Sequence, residues 1–336
     1  MRRWTVPALA AFAAVVGGGS FLLGRYPISV GEVGRYLSWR LVHLGSMEPA
    51  RAALLDNVLL DMRLPRIAAA ALIGAALSVA GVALQAILGN PLMSSKTTGV
   101  MAGSSFGAAV GVLLGRDWLT IQVLAVVFGL VAVGVTVAIA RMGPPDSLLM
   151  LVLGGIASDA IFMALVTVAT YLADPNRQLP TIVYWLMGSL AAIDRRTVGI
   201  ATLPMVAGIG ILLLLGKQLN GLSMGDEEAR ALGIPVGRVR LGALLCATTI
   251  TALTVAMGGM IVWVGVIVPH LARMLVGSDN QVLLPAAALL GAGYLIAVDD
   301  VSRLLFQFEI PMSVVTSLIG VPVFVTLLRS AKRGWA

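Results

Sequence analysis

Few side chains in this sequence could carry chemistry, and most of those are charged groups that interrupt apolar runs. The densest group runs from Gly225 to Pro235. Asp226, Glu227 and Glu228 open it, Arg230 and Leu232 follow, and Gly233 and Pro235 close it. Acids in a first turn complement the positive end of a helix, and Gly then Pro is a common stop. The segment therefore predicts a short amphipathic helix, whose chemistry is recognition: it is either a docking element for a soluble partner or an ordinary connector. A lone carboxylate, Asp159, falls inside the apolar run Gly154-Gly-Ile-Ala-Ser-Asp-Ala160. An ionisable group at membrane depth is costly and tends to face an interior or a wet cavity. Asp159 thus either touches a substrate route or braces a neighbouring helix. His270 sits at a helix end with His43 as the other histidine, so no metal cluster is read here and His270 is given no ligand or catalytic role. Cys246 is the single cysteine, in an apolar stretch, with no CxxC pattern. No Gly-x-x-x-x-Gly-Lys-Ser/Thr phosphate loop occurs.

The elements that must hold these groups follow from composition. Of 336 residues, 59% are hydrophobic and 12% charged, and the mean hydropathy is +0.97. Soluble domains carry roughly 25% charged residues, so most of this surface faces something other than water. Long apolar runs without two-residue alternation must be helices, because lipid leaves no partner for free backbone groups. About ten spans are predicted, near Trp4–Leu23, Arg63–Leu88, Thr98–Leu114, Trp118–Ala140, Leu148–Leu172, Val198–Leu215, two within Leu241–Leu271 broken at Gly258-Gly259, Val282–Val298 and Ile310–Leu328. The expected class is an all-α integral membrane protein forming one transmembrane domain over residues 1–336. A segment at 24–62 lies on the outer face, with an amphipathic helix near Val30–Leu44, and a polar segment at 217–240 lies on the cytoplasmic face. Ile182–Leu190 is too short to span. No A-x-A-like site precedes Arg25, so the first apolar run is read as a retained helix.

The net charge of +7 implies no nucleic acid, because basic residues in membrane proteins gather at loop ends. Ten spans put both termini on one side, and Arg2, Arg3, Arg329, Lys332 and Arg333 make that side cytoplasmic. The opposite side is nearly as basic, with Arg63, Arg66 and Arg303 among its arginines.

Several motifs in order carry a resemblance. They are Arg63-Leu-Pro-Arg66, Gly81-Val-Ala-Leu-Gln85, Asn90-Pro-Leu92, the Gly225–Gly233 helix, Gly265-Val-Ile-Val-Pro-His-Leu-Ala-Arg273, Leu283-Leu-Pro285, Asp300, Arg303 and Glu309-Ile-Pro311. From Arg63 to Leu328 the chain resembles the permease subunits of type II ABC importers for vitamin B12, haem and iron–siderophores. The resemblance implies that the helix from Gly225 to Gly233 couples to an ATPase subunit. It implies that Arg63, Arg66 and Arg303 face the periplasm and pair with acids of a substrate-binding protein, lipid headgroup contact being the plainer alternative. It implies that Asn90 and Leu92 narrow the cytoplasmic end of the pathway, and that Asp159 lies on a pathway-lining helix.

On this reading the chain is not an enzyme and holds no cofactor. ATP and magnesium belong to two partner ATPase subunits, an external binding protein delivers cargo, and a second copy completes a dimer in a prokaryotic inner membrane. The cargo expected is a metal chelate, with molybdate or tungstate as the alternative. A gradient-driven secondary transporter is disfavoured because Asp159 alone offers an intramembrane charge. A membrane enzyme would need a constellation that the spans lack.

Overall fold

A computed structural model describes residues 4–43, 46–144 and 147–332. Arg2, Arg3 and Arg333, invoked above for orientation, lie outside the described residues, as do Leu44 and Asp146. The described chain is helical throughout, with no strand: α1 (Thr5–Leu22), α2 (Val30–Val42), α3 (Pro49–Leu55), α4 (Leu64–Ile87), α5 (Val100–Leu113), α6 (Trp118–Ala140), α7 (Leu148–Leu172), α8 (Gln178–Met187), α9 (Arg195–Leu214), α10 (Gly216–Leu222), α11 (Asp226–Ala231), α12 (Val236–Gly258), α13 (Val264–Val276), α14 (Asn280–Leu304) and α15 (Met312–Lys332). Seven helical runs are long and apolar enough to cross a membrane, and Val100–Leu113, Val264–Val276 and Met312–Thr326 are shorter apolar helices. Together they account for the ten expected spans.

Two boundaries differ from expectation. Helix begins at Pro49 rather than Arg63, because a wide-turned π-helical stretch, Asp56–Arg63, joins α3 to α4 without a break. The polar segment at 217–240 holds two short helices, α10 and α11, and its last five residues already belong to α12.

Burial ranks the helices. Every residue of α4 from Ala76 to Ile87 is buried, so this half of the helix has no outer face and lies at the centre of the bundle. By contrast α6, α7 and α9 bury only 28% of their apolar windows and turn the rest outward. Glycine sets how closely the central helices approach. A Cβ on Gly74 would strike the Gly291 carbonyl of α14, and one on Gly81 would strike the Gly265 carbonyl of α13. Such backbone-to-backbone contact drives helix association where lipid offers no hydrophobic force. Helix entry is fixed by side chains: Asp117 and Asp194 cap α6 and α9, and hydrogen bonds from Thr120 and Thr197 hold both carboxyls below the usual range.

Helices α5 and α13 are short. At 1.5 Å per residue their 14 and 13 residues reach about 20 Å, less than the roughly 30 Å of a hydrocarbon core. Irregular backbone precedes each: residues 88–99 before α5, and 259–263 before α13. Non-helical backbone at membrane depth survives only when buried in protein or lining a cavity. Both segments line the same one.

Candidate functional site

That cavity, of about 320 Å³, lies between the two irregular segments and α15. Leu92, Ser94, Ser95, Lys96 and Thr97 form one wall; Ile261, Val262, Trp263 and Phe324 form the other. The 95–98 turn is pinned from both sides: Ser95 hydrogen-bonds Thr251 of α12 at 2.7 Å, and Thr136 of α6 donates to the Thr98 carbonyl at 2.9 Å. Trp263 has φ of 73°, a region that bulky residues rarely enter. Its ring packs on Phe324 at 5.7 Å, and Gly320 leaves room for it.

Of the predicted gate residues, Leu92 lines the cavity and is 48% exposed. Asn90 does not line it; its side-chain oxygen accepts from the Leu92 amide at 2.9 Å and shapes the turn that presents Leu92. Asp159 is half-buried on α7 and outside the cavity wall. Its backbone lies beside Gly99, and Lys96 is the cation whose field reaches it. Lys96 is the charged group of the cavity wall.

Behind the cavity, two of the motifs meet. Arg273 of α13 donates to the Gln85 side chain of α4 at 2.9 Å.

At one end of the bundle the three predicted docking arginines come together; Arg63 and Arg303 are buried, Arg66 is partly so, and all three bond within the chain. Arg66 makes paired hydrogen bonds of 2.9–3.0 Å to both Asp299 and Glu309. Arg303 holds Asp300 and Ser20, and Ser20 in turn donates to Asp300 at 2.7 Å. Arg63, only 4% exposed, donates to the carbonyls of Phe21 and Tyr26. Guanidiniums this deep need partners: three carboxylates from α14 and the turn after it serve Arg66 and Arg303, and backbone carbonyls serve Arg63. The three arginines line a cavity of about 300 Å³ together with Arg25, Asp61 and Glu309. Nearby, Tyr36 of α2 is fully buried and donates to Asp56; burial, then that hydrogen bond, push its pKa to about 12.

At the opposite end α10 and α11 form a hook between α9 and α12. Asp226, Glu227 and Glu228 occupy the first turn of α11, Ala229 is buried beneath it, and Leu232 is 64% exposed. Gly225 and Gly233 bound the hook with φ of 125° and 76°, values that side chains with a Cβ disfavour. Asp226 pairs with Arg240 of α12 and lies 3.8 Å from Arg230. No group of three or more His, Cys, Asp or Glu suited to a metal occurs among the described residues.

The sequence matches the FecCD transport family over residues 12–330, nearly the whole bundle just described. The chain belongs to this family. FecCD relatives include the molybdate import system permease MolB of Haemophilus influenzae, 37% identical over 97% of this chain and 94% of that one. The vitamin B12 import permease BtuC of Vibrio vulnificus is 36% identical over 97% and 95%. A probable iron chelatin permease of Helicobacter pylori is 34% identical over 82% and 83%. A solved structure described as an inward-facing conformation of a metal-chelate type ABC transporter superposes with a TM-score of 0.86 at 35% identity, covering 97% of this chain and 98% of that one. This FecCD chain is thus a multi-pass transporter subunit of the permease type.

Sequence reasoning passed over Asp299, Lys96 and Trp263. Asp299 adjoins Asp300 in an apolar helix, and that doubled charge was a usable signal. Nothing local marks Lys96 or Trp263; their place comes from irregular segments far apart in sequence.

Proposed function

We propose that this chain is the membrane-spanning half of a binding-protein-dependent ABC importer that brings a metal chelate, such as ferric siderophore, haem or cobalamin, into the cytoplasm. The observation that carries this reading is the hook: a short acid-fronted helix, exposed at Glu227, Glu228 and Leu232 and tied to a central span by Asp226–Arg240. Two ATPase subunits, which bind ATP and magnesium, seat on this helix and on its copy in a second permease chain. Gly225, Asp226, Glu227, Glu228, Arg230, Leu232 and Gly233 form the contact. Nucleotide-driven closure pulls α11, and α11 pulls α12, whose Thr251 is hydrogen-bonded to Ser95 of the cavity wall. Chemical energy arrives as displacement, so this chain needs no cofactor. An external binding protein docks over the arginine-rich end in the inner membrane of a prokaryote. Arg63, Arg66 and Arg303 there act as the buried layer that holds the docking surface in shape. Leu92, presented by Asn90, narrows the route, and Asp159 sets the field at its side through Lys96.

A second reading of the cargo, molybdate or tungstate, draws on the relative MolB and on Lys96, a cation among three hydroxyl side chains in the cavity wall. Asp159 would repel an oxyanion, but it lies outside the cavity wall, whereas Lys96 lines it. Uptake of labelled haem, ferric siderophore, cobalamin and molybdate by a deletion strain and its complement separates the two. Restored uptake of one chelate supports the first reading; restored molybdate uptake alone replaces it with the second.

A further inference from the structure

Arg240 sits in the second turn of α12 and is 8% exposed. One of its terminal nitrogens is bonded to Asp226. Its Nε and Nη1 have no hydrogen-bond partner among the described residues. Buried charged donors rarely stay unmatched, because leaving one so forfeits its hydration without return. The same side chain closes one wall of a cavity of about 350 Å³ between the end of α6 and the start of α7. The cavity has two faces. Val137, Leu148 and Leu151 make an apolar one; Arg141, Ser147 and Arg240 make a polar one, and no described carboxylate lines it. It opens at the end of the spanning helices that also carries α11.

A cationic corner over an apolar wall at the end of spanning helices complements a phospholipid, and basic pockets between spanning helices on the cytoplasmic side recognise anionic headgroups. We propose that this cavity binds an anionic phospholipid, its phosphate against Arg240 and Arg141 and its first acyl carbons along Val137, Leu148 and Leu151. Free phosphate shares the headgroup chemistry but makes no use of the apolar wall. The occupant supplies the acceptors that Arg240 lacks and so steadies the guanidinium that holds Asp226. Lipid composition then bears on how firmly α11 is tethered to α12, independently of what cargo is carried.

The test uses the full chain, purified and stripped of lipid, with native mass spectrometry as the readout. The probes are palmitoyl-oleoyl-phosphatidylglycerol, the matching phosphatidylcholine, and inorganic phosphate. The unmodified chain is expected to retain phosphatidylglycerol in preference to phosphatidylcholine. Arg141→Gln, at an exposed side chain, is expected to weaken retention about fivefold. Ala140→Phe, which fills the cavity and leaves both arginines in place, abolishes it, while Arg35→Gln at the other end has no effect. Unchanged retention in both Arg141→Gln and Ala140→Phe overturns the proposal. So does equal retention of phosphatidylcholine, or displacement of the lipid by inorganic phosphate at equal concentration.

Discussion

Asp226, the first residue of α11, is salt-bridged to Arg240 of α12, so a helix of six residues is fastened to one of the most buried spans of the bundle. A connector needs no such tie, whereas a lever does. Asp226→Asn keeps the shape of the hook and removes the charge. It is predicted to lower ATP-driven uptake while leaving membrane insertion intact and ATP hydrolysis by the partner at its basal rate. Uptake and hydrolysis measured on the same preparation check this; a parallel fall in both would point to lost assembly instead.

The arginine cluster at the other end is predicted to govern stability. Arg66 shares two bidentate contacts with Asp299 and Glu309, and Asp299 is 1% exposed. Removing one member of such a buried pair costs about 3–5 kcal/mol, since the partner charge is left alone. Arg66→Ala should therefore unfold at markedly lower temperature in detergent, and Arg66→Lys should recover little, because an ammonium cannot form the double fork. Unchanged melting would show the cluster to be solvated in the assembled protein.

Helix contact at glycine gives a third expectation. A methyl group on Gly81 meets the Gly265 carbonyl, a backbone atom that no rotamer change can move. Gly81→Ala forces α4 and α13 apart and is predicted to cost about 1–3 kcal/mol. Gly18→Ala, where nothing lies within 4 Å, serves as the neutral control. Expression level and thermal melting of the pair decide it.

Asp159 and Lys96 are predicted to act as a unit. Asp159→Asn should alter the kinetics of transport without harming assembly, and Lys96→Gln added to it should bring the kinetics back toward those of the unmodified chain. Kinetics that each change leaves untouched would remove both residues from the route.

The outer segment carries a pH dependence of definite sign. Tyr36 titrates near 12 in the folded chain, above the ordinary tyrosine value of about 10. A raised pKa means that the folded state holds the proton more tightly. The contribution is complete below pH about 10 and is lost as pH rises through about 12. Tyr36→Phe should flatten the loss of α2–α3 structure between those limits, as read by hydrogen exchange over residues 30–55.

Much of this was readable in the sequence because the membrane leaves so few alternatives. Long apolar runs must be helices, and α6 and α7 begin and end at the residues read from composition. The acid-fronted α11 was visible from its caps. The buried arginine cluster was not. Arg63 and Arg66 looked like part of a basic outer face because the partners of Arg66, Asp299 and Glu309, lie more than two hundred residues away, and Arg63 is held by the backbone carbonyls of Phe21 and Tyr26. Periodicity also could not place the helix start at Pro49, since the wide-turned stretch from Asp56 to Arg63 breaks the 3.6-residue pattern while continuing the helix. The cavity was out of reach altogether: it arises where residues 88–99 and 259–263 meet, two stretches with no local mark of partnership.

On the proposed function, ATP-driven motion enters this chain through α11. The most direct test is uptake of the labelled cargo into vesicles loaded with the chain and its ATPase partner, comparing the unmodified chain with Glu227→Lys/Glu228→Lys, two exposed side chains on α11. Uptake should require ATP, ignore ionophores and disappear in the charge-reversed variant although that variant inserts and folds. Uptake that survives charge reversal and collapses with the ion gradient would contradict the proposed function.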